Sequence, residues 1–99
     1  MTQKSAALVT GAGKRLGRAM ALALAQDGFP VVVHYNSSAD DAERVVSEII
    51  QNGGKACHLQ ANLGNEHETH TLIERSKAAL GPLSLLINSA SLFESDDIE

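Results

Sequence analysis

Thr10-Gly11-Ala12-Gly13-Lys14-Arg15-Leu16-Gly17, a glycine-rich and basic segment of this 99-residue chain, has the composition of an anion-binding turn. Glycines admit positive φ and let an anion approach the backbone. A helix starting at this turn would offer unpaired N–H groups and a positive dipole end to a pyrophosphate. The common dinucleotide pattern sets its third glycine five positions after the first. Here Gly11 and Gly17 are six apart, and no Gly-Lys-Ser/Thr triplet marks a P-loop. A tight turn without a ligand is the plainer reading. The position of the turn between a first strand and a first helix favours phosphate binding.

His34-Tyr35-Asn36-Ser37-Ser38 is the second such group, about 20 residues on, where ribose is read in dinucleotide binders. NAD binders place an acid there, but here no acid follows the second strand until Asp40. Hydroxyl and amide groups tolerate a 2′-phosphate that a carboxylate would repel, and Arg15 could supply positive charge. NADP(H) is therefore favoured over NAD(H). Ser37 and Ser38 could equally cap the following helix, a role compatible with phosphate contact.

Other clusters read more plainly. His67 and His70 share a helix face with Glu66, Glu68 and Glu74 nearby, but the spacing is not His-Glu-x-x-His and no cysteine joins them. A solvated face is expected there, and no metal site. Cys57 and His58 read as packing residues of a strand.

The elements that must position these groups follow from hydropathy patterning. Ala6 to Thr10 reads as a buried strand. A helix over Arg15 to Gln26 carries Leu16, Ala19, Met20, Ala23 and Leu24 at helical spacing. Val31 to Tyr35 is a β-branched strand. A helix over Ala39 to Gln51 sets Ala42, Val45, Val46, Ile49 and Ile50 on one face. Lys55 to Ala61 is a third strand. A helix over Glu66 to Leu80 turns Leu72, Ile73, Ala79 and Leu80 inward, and Leu83 to Ile87 is a fourth strand. This β-α-β-α-β-α-β alternation predicts an α/β fold, a parallel sheet covered on both faces and joined by right-handed crossovers.

Composition narrows the function classes. Apolar residues make up 43% of the chain, and their runs are too short for a membrane helix. The lone Cys57 and the absence of a secretory h-region point to a reducing, cytoplasmic setting. The net charge of −4 arises largely from Glu94, Asp96, Asp97 and Glu99. No basic block supports nucleic-acid binding.

These segments resemble the short-chain dehydrogenases/reductases. Thr10-Gly11-x-x-x-Arg15-x-Gly17 is similar to the cofactor motif of that family, with its wider glycine spacing. Asn88-Ser89-Ala90-Ser91 resembles its Asn-Asn-Ala-Gly segment. Thr10 to Arg18, His34-Tyr35-x-x-Ser38 and Asn88-x-Ala90-Ser91-x-Phe93 further resemble the pteridine reductase branch. The resemblance implies a Rossmann-like three-layer α/β/α fold with strand order 3-2-1-4, residues 1–99 forming a partial NAD(P)-binding domain.

It also implies roles. Gly11, Lys14, Arg15, Leu16 and Gly17 would line the cofactor phosphates. His34, Asn36, Ser37 and Ser38 would surround the 2′-phosphate, although an arginine often stands in that branch where Ser37 is here. Asn62 and Leu63 would contact adenine, Asn62 replacing the usual Asp. Asn88, Ser89 and Ala90 would follow the fourth strand beside the cofactor, with Ser89 departing from the second asparagine. Ser91 would approach cofactor and substrate, and Phe93 would stack on a flat pterin-like ring.

The proton-transfer pair of the family, Tyr-x-x-x-Lys, is absent from these 99 residues: the one tyrosine is Tyr35, and residue 39 is alanine. The expectation is therefore a cofactor-binding portion without turnover, whose intact enzyme would reduce a C=O or C=N bond of a small molecule. A non-catalytic nucleotide-binding or interaction module is the alternative. The fourth strand is expected at the sheet edge with Leu85, Leu86 and Ile87 exposed, and self-association is expected through that edge or through exposed helix faces.

Overall fold

The computed structural model describes residues 4–12 and 15–88. Its elements run β1 (Ala6–Thr10), α1 (Arg15–Gln26), β2 (Val31–Tyr35), α2 (Ala39–Gln51), β3 (Ala56–Gln60), α3 (Glu66–Leu80) and β4 (Leu83–Asn88). The helices span the expected ranges. β3 is shorter by a residue at each end, and β4 extends to Asn88. The strands form one parallel sheet in the order β3-β2-β1-β4. This is the Rossmann-like arrangement with helices on both faces.

The register places Leu8 beside Val32 and Leu86, and Val9 beside Val33 and Ile87. β1 is buried along its whole length, and β2 from Val31 to His34. Residues with little need of water on either side, such as Val31-Val32-Val33, suit that position. One core layer joins Val9, Val31 and Val33 to Ala21 of α1 and to Ala42, Val45 and Ile49 of α2. The other joins Leu8, Val32 and Ala61 to Leu72 of α3. Alternating side chains of the two central strands thus feed opposite layers.

The helix faces depart in places from the sequence reading. On α1 the fully buried residues are Gly17 and Ala21, while Ala19 and Ala23 are exposed and Leu16 is 38% exposed. Small side chains four apart let α1 lie close to the sheet, so the contact line follows size more than hydropathy. Leu22, Leu24 and Ala25 complete that contact. On α2, Ala42, Val45 and Ile49 are buried as expected, but Ile50 is 54% exposed. On α3 the buried line is Leu72 and Ser76, and Ala79 is exposed. Ser76 Oγ donates to the Leu72 carbonyl at 2.7 Å, which satisfies its hydroxyl inside an apolar layer.

The outer strands differ from the central pair. β4 alternates between half-buried and exposed residues. Of the three residues expected to be exposed there, only Leu86 is, at 57%; Leu85 is half-buried and Ile87 packs on the α1–α2 layer. The pleat explains this, because it sends Ile87 to the side that two helices cover.

Candidate nucleotide site at the strand ends

All four strands are parallel, so their C-terminal ends share one edge of the sheet, where ligands of open α/β sheets bind. Gly11, Asn36, Asn62 and Asn88 come at or just beyond those ends. Several hydrogen bonds tie the ends together. Ala12 N–H donates to the His34 carbonyl at 3.1 Å, and Ala61 N–H to the Tyr35 carbonyl at 3.1 Å. Thr10 Oγ1 donates to Asn88 Oδ1 at 2.9 Å, which joins β1 to β4. Gln60 Nε2 donates to the Asn36 carbonyl at 3.1 Å.

Gly11 has φ +66°, a left-handed conformation that glycine adopts without strain. Thr10 before it and Ala12 after it are buried, so the turn is held on both sides. α1 then begins at Arg15 with no acid in its first turn. Arg15 is exposed and has no hydrogen bond or ion pair among the described residues. Gly17 is buried against the sheet. The arrangement gives a positive-φ turn, a helix N-terminus free of like charge and an available guanidinium.

His34 departs from its expected place. It is 2% exposed, and both ring nitrogens are engaged. Gly11 N–H donates to Nδ1 at 3.0 Å, and Nε2 lies 2.8 Å from the Ala61 carbonyl. The ring is therefore built into the framework beneath the turn, and is not exposed at the rim as Asn36 and Ser37 are. Burial pushes its pKa down from the ordinary 6.5; the Ala61 carbonyl acts in the opposite sense, and Arg75 adds to the lowering.

The neighbouring polar residues lie at the surface. Asn36 and Ser37 are exposed, and Ser38 is half-buried. Ser38 occupies the N-cap position of α2 but makes no side-chain capping bond. Its hydroxyl is thus not committed to the helix. Asp40 and Asp41 stand in the first turn of α2, with Asp41 accepting from Arg44 at 3.1 Å. They already complement that helix dipole.

The β3–α3 loop is fixed by a residue that sequence reasoning placed on a solvated face. Glu68 accepts from Asn62 N–H at 2.7 Å, and its own N–H donates to Asn65 Oδ1 at 3.1 Å. Asn65-x-x-Glu68 has the capping-box spacing, the signal that could have revealed it. Asn62 Oδ1 accepts from Gly64 N–H at 2.9 Å, so the oxygen expected to face adenine also closes its own turn. Leu63 packs on the α3 layer. Arg75 Nη2 donates to the Gln60 carbonyl at 2.9 Å and ties α3 to the end of β3.

Lys14, Ser89, Ala90, Ser91 and Phe93 lie outside the described residues. His67 and His70 are exposed on α3. Cys57 is half-buried in the α3 layer, and burial pushes its thiol pKa up. No described helix is long and apolar enough to cross a membrane.

The model of the short chain dehydrogenase family matches residues 5–99. The chain is 45% identical over 86 residues to a 3-oxoacyl-[acyl-carrier-protein] reductase of Synechocystis, an alignment covering 87% of this chain and 35% of that protein. Among solved structures it is similar to FolM alternative dihydrofolate reductase 1 from Brucella suis in complex with NADP. That match has 37% identity and a TM-score of 0.79, covering 87% of this chain and 34% of that one. A dehydrogenase/reductase from Sinorhizobium meliloti is 36% identical with a TM-score of 0.83, over 89% of this chain and 34% of its own. The chain thus spans about a third of the length of these relatives. From the glycine turn to the order of its strands, the chain belongs to the short-chain dehydrogenase family.

Proposed function

We propose that the strand-end edge binds NADP(H), with the dinucleotide phosphates at the Gly11 turn and the N-terminus of α1. The observation that carries this reading is the combination of Gly11 at positive φ, a first helical turn without acid, and an Arg15 with no ion pair among the described residues. Lys14, Leu16 and Gly17 would complete the phosphate lining. Asn36, Ser37 and Ser38 would face the 2′-phosphate, the uncommitted Ser38 hydroxyl donating to it. Arg15 supports NADP(H) over NAD(H), because it offers charge while no carboxylate stands between the end of β2 and Asp40. Asn62 and Leu63 would border adenine, and Asn88, Ser89, Ala90 and Ser91 the nicotinamide side.

The bound cofactor would supply a hydride, and these residues would bind and orient it. In a protein carrying the further residues that its relatives possess, the acceptor would be a C=O or C=N bond. Likeness to an alternative dihydrofolate reductase and the Ser91-x-Phe93 pair support a pterin-like acceptor. The 99 residues lack Tyr-x-x-x-Lys, so this chain by itself would bind cofactor without turnover. The outer edge of β4 and the exposed Leu86 support self-association. A reducing, cytoplasmic setting suits the single cysteine.

Amide chemical-shift mapping tests the location. Addition of NADPH should perturb Gly11, Arg15, Ser38 and Asn62, and leave Gly28 and Gly54 at the other end unmoved. Perturbation confined to the Gly28–Gly54 end would refute the assignment.

A further inference from the structure

His34 is buried beneath the proposed phosphate turn, and cofactor binding does not require it to touch a ligand. We propose that His34 is a positioning residue whose neutral imidazole, protonated at Nε2, clamps the Gly11 turn to the end of β3, so that the turn keeps its anion-binding shape only while the ring is uncharged.

The two partners fix the tautomer. A backbone N–H can only donate, so the 3.0 Å contact from Gly11 N–H requires a lone pair on Nδ1. A carbonyl can only accept, so the 2.8 Å contact to Ala61 requires the proton on Nε2. The imidazole thereby bridges the turn after β1 to the residue after β3, across β2. Its carbonyl also receives Ala12 N–H at 3.1 Å, so one residue holds two consecutive amides of the turn. Gly11 and Ala12 are the amides that lead toward α1.

Protonation would place a second N–H on Nδ1, directly against Gly11 N–H. With 2% of His34 exposed, water cannot readily separate the two donors. Gly11 would have to rotate away, and its φ of +66° gives it the freedom to do so. The charged and ionisable groups around the ring come from two elements. Arg75 of α3 donates to Gln60 and disfavours a second positive charge, and Glu68 of α3 is held on Asn62 N–H. β3 contributes the half-buried Cys57 to this layer, while its His58 pairs with the Tyr35 ring at 5.8 Å. β1 and the described part of the turn contribute Thr10, Gly11 and Ala12, none of which titrates in this range.

This proposal rests on the NADP(H) reading for its functional consequence, but the clamp itself can be observed without ligand. Nitrogen-15 spectra of the whole chain from about pH 8 to about pH 5 would report the ring tautomer and the Gly11 amide. The expected result is an Nε2–H ring that titrates below 6.5, with the Gly11 amide moving in step. NADPH affinity would be measured over the same range for wild type, His34→Asn and His34→Leu. Asparagine supplies an acceptor for Gly11 that does not titrate, and leucine supplies none. The wild-type to His34→Asn affinity ratio should fall about tenfold on acidification, whereas His34→Leu should be weak throughout. Titration of the 2′-phosphate of the ligand is common to both proteins and cancels in the ratio. A ring protonated at Nδ1, a Gly11 amide indifferent to the ring, or a constant ratio would overturn the clamp. Absence of NADPH binding at pH 8 would overturn the cofactor reading alone, because the tautomer and the Gly11 amide still decide the clamp.

Discussion

His34 links the stability of the fold to pH. Its folded pKa lies below the 6.5 of the unfolded chain, so the unfolded state binds more protons between those values. Stability from this group is therefore fully present above about pH 6.5 and is lost as pH falls toward the folded pKa. Urea unfolding should show the gap between wild type and His34→Asn narrowing through that window; a gap that widened on acidification would contradict it. Glu68→Ala should cost about 1 kcal/mol in the same assay, because Asn62 N–H loses its carboxylate. At this scale the sequence was only partly legible. The Gly11 turn and Arg15 could be read because their signal is local. The bond of His34 to Ala61 joins residues 27 apart and could not. The family resemblance implied a phosphate contact for His34, while its place inside β2 turns it beneath the Gly11 turn instead.

The helices and strands were legible in extent, and their faces less so. Helical spacing marked Leu16, Ala19, Met20, Ala23 and Leu24 as the inner side of α1; Leu24 does pack on the core, but Leu16, Ala19 and Ala23 are exposed, and the fully buried residues are Gly17 and Ala21. Two substitutions test the packing. Leu72 is 1% exposed and is the one large apolar residue of α3 that is fully buried. Leu72→Ala should lower stability by about 2–4 kcal/mol in denaturant titration and loosen the loop carrying Asn62. Gly54 closes the end of α2, where an added Cβ would lie 2.8 Å from Ile49 Cγ2 and 3.3 Å from the Ile49 carbonyl. Ile49 is itself 1% exposed and has little room to yield. Gly54→Ala should destabilise by about 1–3 kcal/mol, and an unchanged midpoint would show that the α2 terminus is looser than described.

For the molecule as a whole, the parallel sheet gathers the polar residues of distant segments along one edge and leaves β4 on the outside. Outer strands with exposed apolar residues invite pairing. Sedimentation of the chain at rising concentration should show reversible association that weakens in Leu86→Lys; a concentration-independent monomer would count against it. Calorimetric titration of the chain with NADPH and NADH, beside Arg15→Ala, decides whether the strand-end edge holds NADP(H) through Arg15 and the Gly11 turn. NADPH should bind more tightly than NADH, and Arg15→Ala should lose about ten- to a hundredfold for NADPH, with a smaller loss for NADH. Equal affinity for the two cofactors, or an Arg15→Ala variant that binds NADPH as wild type does, would contradict it.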